Sequence, residues 1–581
     1  MEPYSKSLEL QYEQPSQMES NGDTKLNLNC SNAKKGWISA IFILGASFGL
    51  NISSGAWYTN LIVFLISVFN IKNIPAAQIN NIFSGLICFF PLIAAIFADS
   101  AFGNYSVTLI SSIISLLGVI MFTLLVTLKS MRPPHCALNS TTCIPPTTFQ
   151  YTFLYIALTL ASLGLGGTRF ILGTMGADQF DKPQHQATFF NWFICSLYVG
   201  WIIAYTLLIY IQTSISWALS FAIALAANLL AALLFVAGSR MYRKIPPQGS
   251  PFISIARVFV AAFRNAKNQK SVVDGEDDSY FHESDESKLA YGAPTNTLRF
   301  LNKAAMIKRN DDNHELRGTI SKSWSQCTVE EVEDVKKLIK IMPLWTSSML
   351  LSGAIGVILS FTVLMALVMD RRVGTSNFKI PAGTFTVITL IVTAITSSML
   401  DRFIYPAYKK VTGRNLTFLQ CIGVGHVSNI LASIGFALIE RRRLELVRAQ
   451  QLMDQPNAVA PLSALWMAFP LAILGVGEGS FFSPEVAFYY QEYPKSLRST
   501  STAMVSLHIA AGYYLSSAFI DIVGRTSSWL PNDLNHGRVD YAAWVLAVVA
   551  AANFGYFLVC AKFYKYNHRS SPGENVVVPE K

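Results

Sequence analysis

The chain has 581 residues, of which 52% are hydrophobic and 14% are charged, and its formal net charge is +10. Soluble proteins carry about 25% charged residues, so this composition excludes a soluble enzyme, a disordered chain and a secreted disulfide scaffold. The excess of basic residues is typical of cytoplasmic loops that orient a membrane protein, which accounts for the charge better than nucleic-acid binding does.

Twelve apolar runs, each long enough to cross a bilayer, follow a polar amino-terminal segment. Residues 1–36 lack an apolar core, which predicts a disordered cytosolic tail, and the first six runs occupy residues 37–239. A charged interval, residues 240–335, predicts a cytosolic linker loop. Six further runs occupy residues 336–565, and residues 566–581 form a cytosolic tail. This layout predicts an all-α membrane protein, a transporter whose two halves surround a midplane site.

Basic residues in the short loops place the amino terminus in the cytosol and residues 129–149 outside. In that outer loop Asn139 begins a glycosylation sequon, and Cys136 and Cys143 flank it. The sequence leaves open whether Asn139 is glycosylated, and whether Cys136 and Cys143 form a disulfide or remain free thiols. One sequence disagrees with this orientation, because Glu440–Arg443 would then lie outside after the ninth run.

Two ionisable residues lie inside glycine-rich apolar runs, where burial of a charge is costly and indicates function. Arg169 ends the sequence GLGGTR in the fourth run, and Glu478 lies within GVGEG in the tenth. Either they bind or gate the substrate, or they form a cross-bundle pair that only latches the two halves. His426 and His508 also lie within runs and are predicted to be packing residues rather than proton relays.

The sequence lacks the motifs of nucleotide-driven transport and of zinc hydrolases. The phosphate-binding pattern G-x-x-x-x-G-K-[ST] is absent, which argues against ATP-driven pumping. A zinc-binding helix motif of the H-E-x-x-H type is absent as well. We therefore predict that the chain is not an enzyme and needs no cofactor or metal.

Several longer motifs resemble those of the proton-coupled oligopeptide transporter family. Gly176–Phe180, followed by Phe189–Phe193, resembles the family's paired signature, and Ala98–Asp99 with Gly103–Tyr105 is similar to its major-facilitator loop. Trp529–Gly537 is similar to the plant nitrate and peptide branch. The resemblance covers nearly the whole chain. It implies the major facilitator fold, with 12 transmembrane helices in two six-helix bundles that transport by alternating access.

The departures from the family pattern are informative. The family's first-helix pattern E-x-x-E-[RK] falls on Ser47–Asn51, so two acids and one base are missing. In relatives these groups are implicated in proton coupling, and one acid pairs with the base of the fourth helix, here Arg169. The seventh-helix position that carries a histidine in a plant nitrate relative falls on Ile355. The resemblance therefore does not imply proton symport, and the cavity is more positive by one unit.

These departures predict an anion carrier. We expect Arg169 to meet water or an anion, since an isolated buried guanidinium is costly, and its planar fork suits nitrate. Ser47 and Asn51 would add neutral hydrogen bonds, and Glu478 would gate from the other half. An uncoupled anion gains about 2.3 kcal/mol per 100 mV by leaving a negative interior. The chain also resembles the nitrate excretion subgroup, which predicts passive or low-affinity nitrate efflux across the plasma membrane rather than the vacuolar membrane.

Several alternatives remain open at this point. The substrate could be chloride or a larger anionic or glycosylated plant metabolite, and the mechanism could be proton-coupled nitrate symport through Glu478. A peptide fits less well, because its amino terminus requires an acid and only Glu478 remains. A nitrate sensor would use the charged linker to report binding, and the serines of that linker could serve a regulatory kinase.

Overall fold

The computed structural model describes most of the chain, with side chains described from Gly36 onward. The described residues are 22–134, 144–169, 171–244, 251–268, 280–281, 293–306, 324, 326–374, 378–414, 416–453, 455, 458–493, 498–531 and 533–564. The predicted sequon at Asn139 and the cysteines Cys136 and Cys143 lie outside these residues.

Helices make up nearly all of the described chain, and we number the membrane-spanning ones as spans. Spans 1 to 6 are Gly22–Tyr58, Asn73–Phe97, Gly103–Thr127, Thr148–Arg169 with Ile171–Ala177, Pro183–Ile203 continued by Ala204–Leu208 and Ile209–Ser214, and Trp217–Ala237. Spans 7 to 12 are Val329–Leu367, Val387–Met399 continued by Leu400–Ile404 and Tyr405–Thr412, Phe418–Ala449, Ala468–Glu492, Arg498–Thr526 and Val539–Phe563.

Shorter elements connect the spans. They are the helices Leu61–Ser67, Lys129–Met131, Gly238–Arg240, Pro251–Asn268, Arg299–Asn302, Ala382–Thr386 and Ala464–Met467, and two short strands. The strands, Met369–Asp370 and Ala460–Ser463, pair in parallel at one end of the carboxy-terminal half. Spans 1 to 6 form the N half and spans 7 to 12 form the C half.

Eleven continuous helical segments of the described chain are long and apolar enough to cross a bilayer. One of them, Asn73–Thr127, has 55 residues and would be about 80 Å long as a straight helix, well over the ~30 Å of a hydrocarbon core. The chain turns at Gly103, whose φ of +74° is readily adopted by glycine, and spans 2 and 3 both pack against span 4. The segment therefore supplies two spans, which confirms the predicted twelve-helix fold.

Glycines bring neighbouring spans close together beside both predicted charges. A Cβ atom on Gly164 of span 4 would lie 2.4 Å from the backbone nitrogen of Ser115 in span 3. A Cβ atom on Gly477 of span 10 would lie 2.9 Å from the Cβ of Ser428 in span 9. Small residues allow such close approach of helices in lipid, and these contacts hold the helix segments that carry Arg169 and Glu478.

The two halves meet at the end of the bundle that carries the loops after spans 1, 3, 5, 7, 9 and 11, which we call the outer end. Span 2 packs against span 11 there, and Gly85 lies against Tyr514. Gln78 donates a hydrogen bond of 3.4 Å to Asp521, nearer the outer surface. The structure therefore holds the outer end closed. With the amino terminus in the cytosol, as the sequence predicts, the closed end faces away from the cytosol.

The predicted linker loop contains a small packed unit. Its amphipathic helix, Pro251–Asn268, which we call the linker helix, packs against the start of span 7. Their shared apolar core comprises Val258, Ala261, Ala262, Leu301, Ala304, Ala305, Cys327, Val329, Val332 and Val335. Arg257 of the linker helix forms an ion pair with Glu331. The described linker is therefore anchored to the C half rather than only solvated.

The helices of the structure differ from the sequence-based limits at three places. Span 1 begins at Gly22, so residues 22–36 of the predicted disordered tail are helical. Span 7 begins at Val329, not at residue 336, because Thr328 and Glu331 form a capping box. Span 9 continues to Ala449, which places Glu440–Arg443 inside a helix rather than in an outer loop.

Candidate substrate site

Arg169, Ser47 and Asn51 line one cavity within the N half, although they come from two different spans. The other lining residues are Leu50, Leu165, Thr168, Leu172 and Leu197. The cavity volume is about 10 Å³, close to the room that one water molecule needs. The structure thus brings together three of the sequence-predicted site residues in a nearly closed pocket.

Span 1 presents Ser47 and Asn51 on the same helix face, because they are four residues apart. The Asn51 amide donates to the Ser47 carbonyl at 2.8 Å and to the Ser47 hydroxyl at 3.3 Å. Both side chains are buried, whereas Arg169 is partly exposed. Of the eight residues that line the cavity, Arg169 is the one with a formal charge. The cavity therefore combines a positive charge with neutral polar groups.

Glu478 lies in the C half and is not among the residues that line the Arg169 cavity. Its carboxylate accepts a hydrogen bond of 3.1 Å from the Thr393 hydroxyl of span 8, and its side chain is partly exposed. The charges of Arg169 and Glu478 both act electrostatically on Tyr198 and Tyr205 of span 5. The two predicted charges therefore face the same region between the halves.

Ile355 is not among the residues that line the Arg169 cavity. It is buried in the apolar core of the C half, 6% exposed. Its neighbour Gly356 lines a different cavity, described next. The structure therefore gives Ile355 a packing environment.

A second cavity, which sequence reasoning missed, lies between the halves near the outer end. Its volume is about 60 Å³ and its lining is uncharged. The lining residues are Tyr58, Thr59, Asn60, Ile62, Asn80, Asn81, Ser84, Tyr205, Gly356, Leu359, Ser360, Val363, Thr386 and Tyr513. Asn80 and Asn81, adjacent amides within an apolar run, are the sequence signal that could have indicated it.

The two intramembrane histidines have different surroundings. His426 stacks on Phe557, with ring centroids 4.7 Å apart. His508 is fully buried, and its Nε2 lies 2.8 Å from a carboxylate oxygen of Glu485 in span 10. Sequence reasoning missed Glu485, although it lies inside the tenth apolar run. Within the described part of the chain, no cluster of three or more His, Cys, Asp or Glu residues could hold a metal ion.

Comparison with known proteins agrees with this architecture. The model of the POT family matches residues 105–534. Protein NRT1/PTR FAMILY 2.7 of Arabidopsis thaliana is 44% identical over 551 residues, which cover 94% of this chain and 96% of the relative. Protein NRT1/PTR FAMILY 2.3 of the same plant is 42% identical over 551 residues, with the same shares.

Solved structures show the same fold. An auto-inhibited POT family peptide transporter is similar with a TM-score of 0.67 at 18% identity, over 92% of this chain and 99% of that chain. The POT family transporter PepTSo is similar with a TM-score of 0.61 at 17% identity, over 91% and 99% of the two chains. Together with the family match, these similarities show that the chain belongs to the POT family and is a multi-pass membrane transporter rather than an enzyme.

Proposed function

We propose that this transporter carries a small anion, and nitrate in the first place, across the plasma membrane by alternating access. The observation that carries the proposal is the Arg169 cavity, in which Arg169 is the one lining residue with a formal charge. Ser47 and Asn51 occupy this cavity at positions where the family pattern has ionisable groups. A guanidinium with neutral hydroxyl and amide neighbours suits an oxyanion, which it can bind through two parallel N–H groups.

The size of the cavity favours a small substrate. A volume of about 10 Å³ must expand even for nitrate, and a glycosylated metabolite or a peptide would require a far larger rearrangement. Because the outer end is closed, we expect the anion to reach Arg169 from the inner side. Glu478, across the space between the halves, would then gate passage by electrostatic repulsion of the anion.

The expected direction follows from charge. An anion that is transported without protons moves down its own electrochemical gradient. A negative interior favours its exit by about 2.3 kcal/mol per 100 mV. Chloride is the nearest rival, since the same cavity would accept it. Proton-coupled nitrate symport is the second, because the partly exposed Glu478 offers a carboxylate that could carry a proton.

The decisive experiment measures nitrate flux in proteoliposomes while voltage and pH gradients are varied separately. We expect net flux that voltage drives and that a proton gradient alone does not drive, with chloride as a weak competitor. Arg169→Ala should abolish the flux, and Arg169→Lys, which keeps the charge but loses the planar fork, should retain only part of it. Arg442→Ala, at an exposed arginine of span 9, serves as the control. Uphill nitrate uptake driven by a proton gradient at clamped voltage would contradict passive efflux.

A further inference from the structure

Five buried side chains from three spans of the C half are linked by hydrogen bonds into one chain, whose two ends lie one turn apart on span 7. His508 of span 11 contacts Glu485 of span 10 at 2.8 Å and the Ser352 hydroxyl of span 7 at 3.3 Å. The Tyr489 hydroxyl donates to the other Glu485 oxygen at 3.0 Å. Tyr489 also hydrogen-bonds to Ser348, one turn before Ser352 on span 7. We call this set the polar ring, and it lies outside both cavities described above.

The polar ring is sealed from solvent in this conformation. The side chains of His508 and Glu485 are 0% and 1% exposed. Trp345 and Phe481 cover the imidazole, with ring centroids 6.4 and 5.9 Å from it. The Trp345 indole is itself held by a hydrogen bond to the carbonyl of Met504. The ring is therefore a preformed polar unit inside an apolar wall.

Three titratable groups of the described residues interact with Glu485, namely His508, Tyr489 and Tyr493. Tyr489 lies in span 10 and Tyr493 directly follows it. Span 11 contributes the histidine, and span 7 contributes neutral serines. With both tyrosines neutral, the charge of the polar ring is set by one acid and one base. It is −1 when His508 is neutral and Glu485 ionised, and one added proton brings it to zero.

Burial makes that single proton important. A net charge sealed in an apolar interior costs several kcal/mol, whereas a neutral acid–base pair with satisfied hydrogen bonds costs much less. Spans 7 and 11 also carry Ser360 and Ser516, which hold the outer end closed through Asn81. Any motion that opens the polar ring to water would therefore move the spans that form the outer closure.

We propose that the Glu485–His508 pair is a proton-binding site of the C half, and that its loaded, neutral state stabilises the outer-closed conformation. Loss of the proton favours a conformation in which the pair reaches water. Cytosolic acidification thus holds the carrier in the outer-closed conformation, whichever anion it transports. This site is distinct from Glu478, and its role does not depend on the proposed substrate.

The test measures the conformation directly, without substrate. Fluorophores on unnatural amino acids at Lys129 and Arg525, both exposed at the outer end of opposite halves, report its opening in purified full-length protein in nanodiscs. We expect acidification to increase the outer-closed population. Glu485→Gln, which is nearly isosteric, should make that population independent of pH. Exchange of the two residues, Glu485→His with His508→Glu, should restore the pH dependence.

Two controls separate proton binding from a merely structural role. His426→Gln alters another buried histidine of the C half, one that stacks on Phe557 rather than on an acid, and should leave the pH profile unchanged. A normal thermal unfolding midpoint would show that Glu485→Gln folds. If Glu485→Gln and His508→Gln both keep the wild-type pH profile, the proposal is wrong, even where nitrate transport itself is confirmed.

Discussion

The Asn81 amide of span 2 donates a hydrogen bond of 2.9 Å to the Ser516 hydroxyl of span 11, across the interface between the two halves. Its carbonyl oxygen accepts a second hydrogen bond, of 2.8 Å, from Ser360 of span 7. Asn81 is fully buried, so one side chain satisfies both of its partners inside the outer closure. Breaking this closure leaves buried polar groups without partners unless water enters.

Replacement of Asn81 by alanine should therefore open the outer end. Loss of a buried hydrogen-bonded group costs about 1–3 kcal/mol, which corresponds to roughly a tenfold shift toward the outer-open conformation. The measurement is the rate at which a cysteine introduced at Val363, in the lining of the outer cavity, reacts with a membrane-impermeant thiol reagent. Asn80→Ala removes a neighbouring amide that lines the same cavity and is the control. Equal rates in the two variants would show that Asn81 does not hold the closure.

A carboxylate placed at Ser47 should stop anion transport. Ser47 and Arg169 line the same cavity, so a carboxylate at position 47 would lie beside an anion bound to Arg169. Two negative charges about 4 Å apart repel by ~4 kcal/mol at an effective dielectric constant of about 20. Ser47→Glu should therefore lower nitrate flux at least tenfold. Ser47→Gln fills the same space without the charge and should keep most of the flux. If both variants lose transport equally, the cause is steric and the electrostatic account of the cavity fails.

The grouping of Ser47 and Asn51 with Arg169 was expected from the family resemblance, in which the first-helix motif falls on Ser47–Asn51 and one of its acids pairs with the base of the fourth helix. The sequence could not predict the polar ring in the same way. Glu485 and His508 lie 23 residues apart on different spans, and their contact depends on how each helix is rotated in the bundle. A hydropathy profile carries no information about that rotation.

The start of span 7 was predicted too late in the chain, for a different reason. The capping box of Thr328 and Glu331 can be read in the sequence as T-x-x-E, but the charged residues that follow it resemble a loop. In the structure Glu333 and Lys336 pair with each other and with Thr295, so this charged turn is stabilised by the linker. Tertiary partners, absent from a linear pattern, made those residues helical.

Cys327 should be unreactive in the folded protein. Burial, with the nearby Glu331 carboxylate as a further cause, raises the pKa of its thiol to about 12 from an ordinary value of 9.0. Because thiolate is the reactive form, alkylation of Cys327 should rise with pH only toward about 12, and after denaturation in detergent it should rise near 9. Peptide mapping after maleimide labelling measures both profiles. Rapid labelling of Cys327 at pH 8 in the native protein would contradict this burial.

The raised pKa of Cys327 also predicts how alkaline pH affects the packed unit that the linker helix forms with the start of span 7. The unfolded thiol loses its proton above its ordinary pKa of 9.0, whereas the folded thiol keeps it until about 12. The unfolded state is therefore favoured progressively between these values, and the contribution of Cys327 to stability falls as pH rises. Cys327→Ala removes the titrating group. Limited proteolysis of the linker should become faster between pH 9 and 11 in the wild type, and less so in this variant.

A buried arginine near the outer end should be essential for stability. Arg443 forms two hydrogen bonds of 2.7 and 2.8 Å to Glu440, and both residues are fully buried. It also donates to the Asn535 side chain at 2.6 Å and the Leu534 carbonyl at 3.0 Å. It therefore connects span 9 to the loop before span 12. Arg443→Met leaves the Glu440 charge buried without its counter-ion, which should lower the free energy of unfolding by about 3–5 kcal/mol.

The measurement is the thermal unfolding midpoint in detergent, with Arg442→Met as the matched control one residue away. The Arg442 side chain is 64% exposed and pairs with an exposed glutamate, so its loss should leave the midpoint unchanged. Removing both buried charges, with Glu440→Gln and Arg443→Met combined, should recover part of the stability lost in Arg443→Met alone, because no uncompensated charge remains. If the double variant is less stable than Arg443→Met, the buried Glu440 charge is not the main cause of the loss.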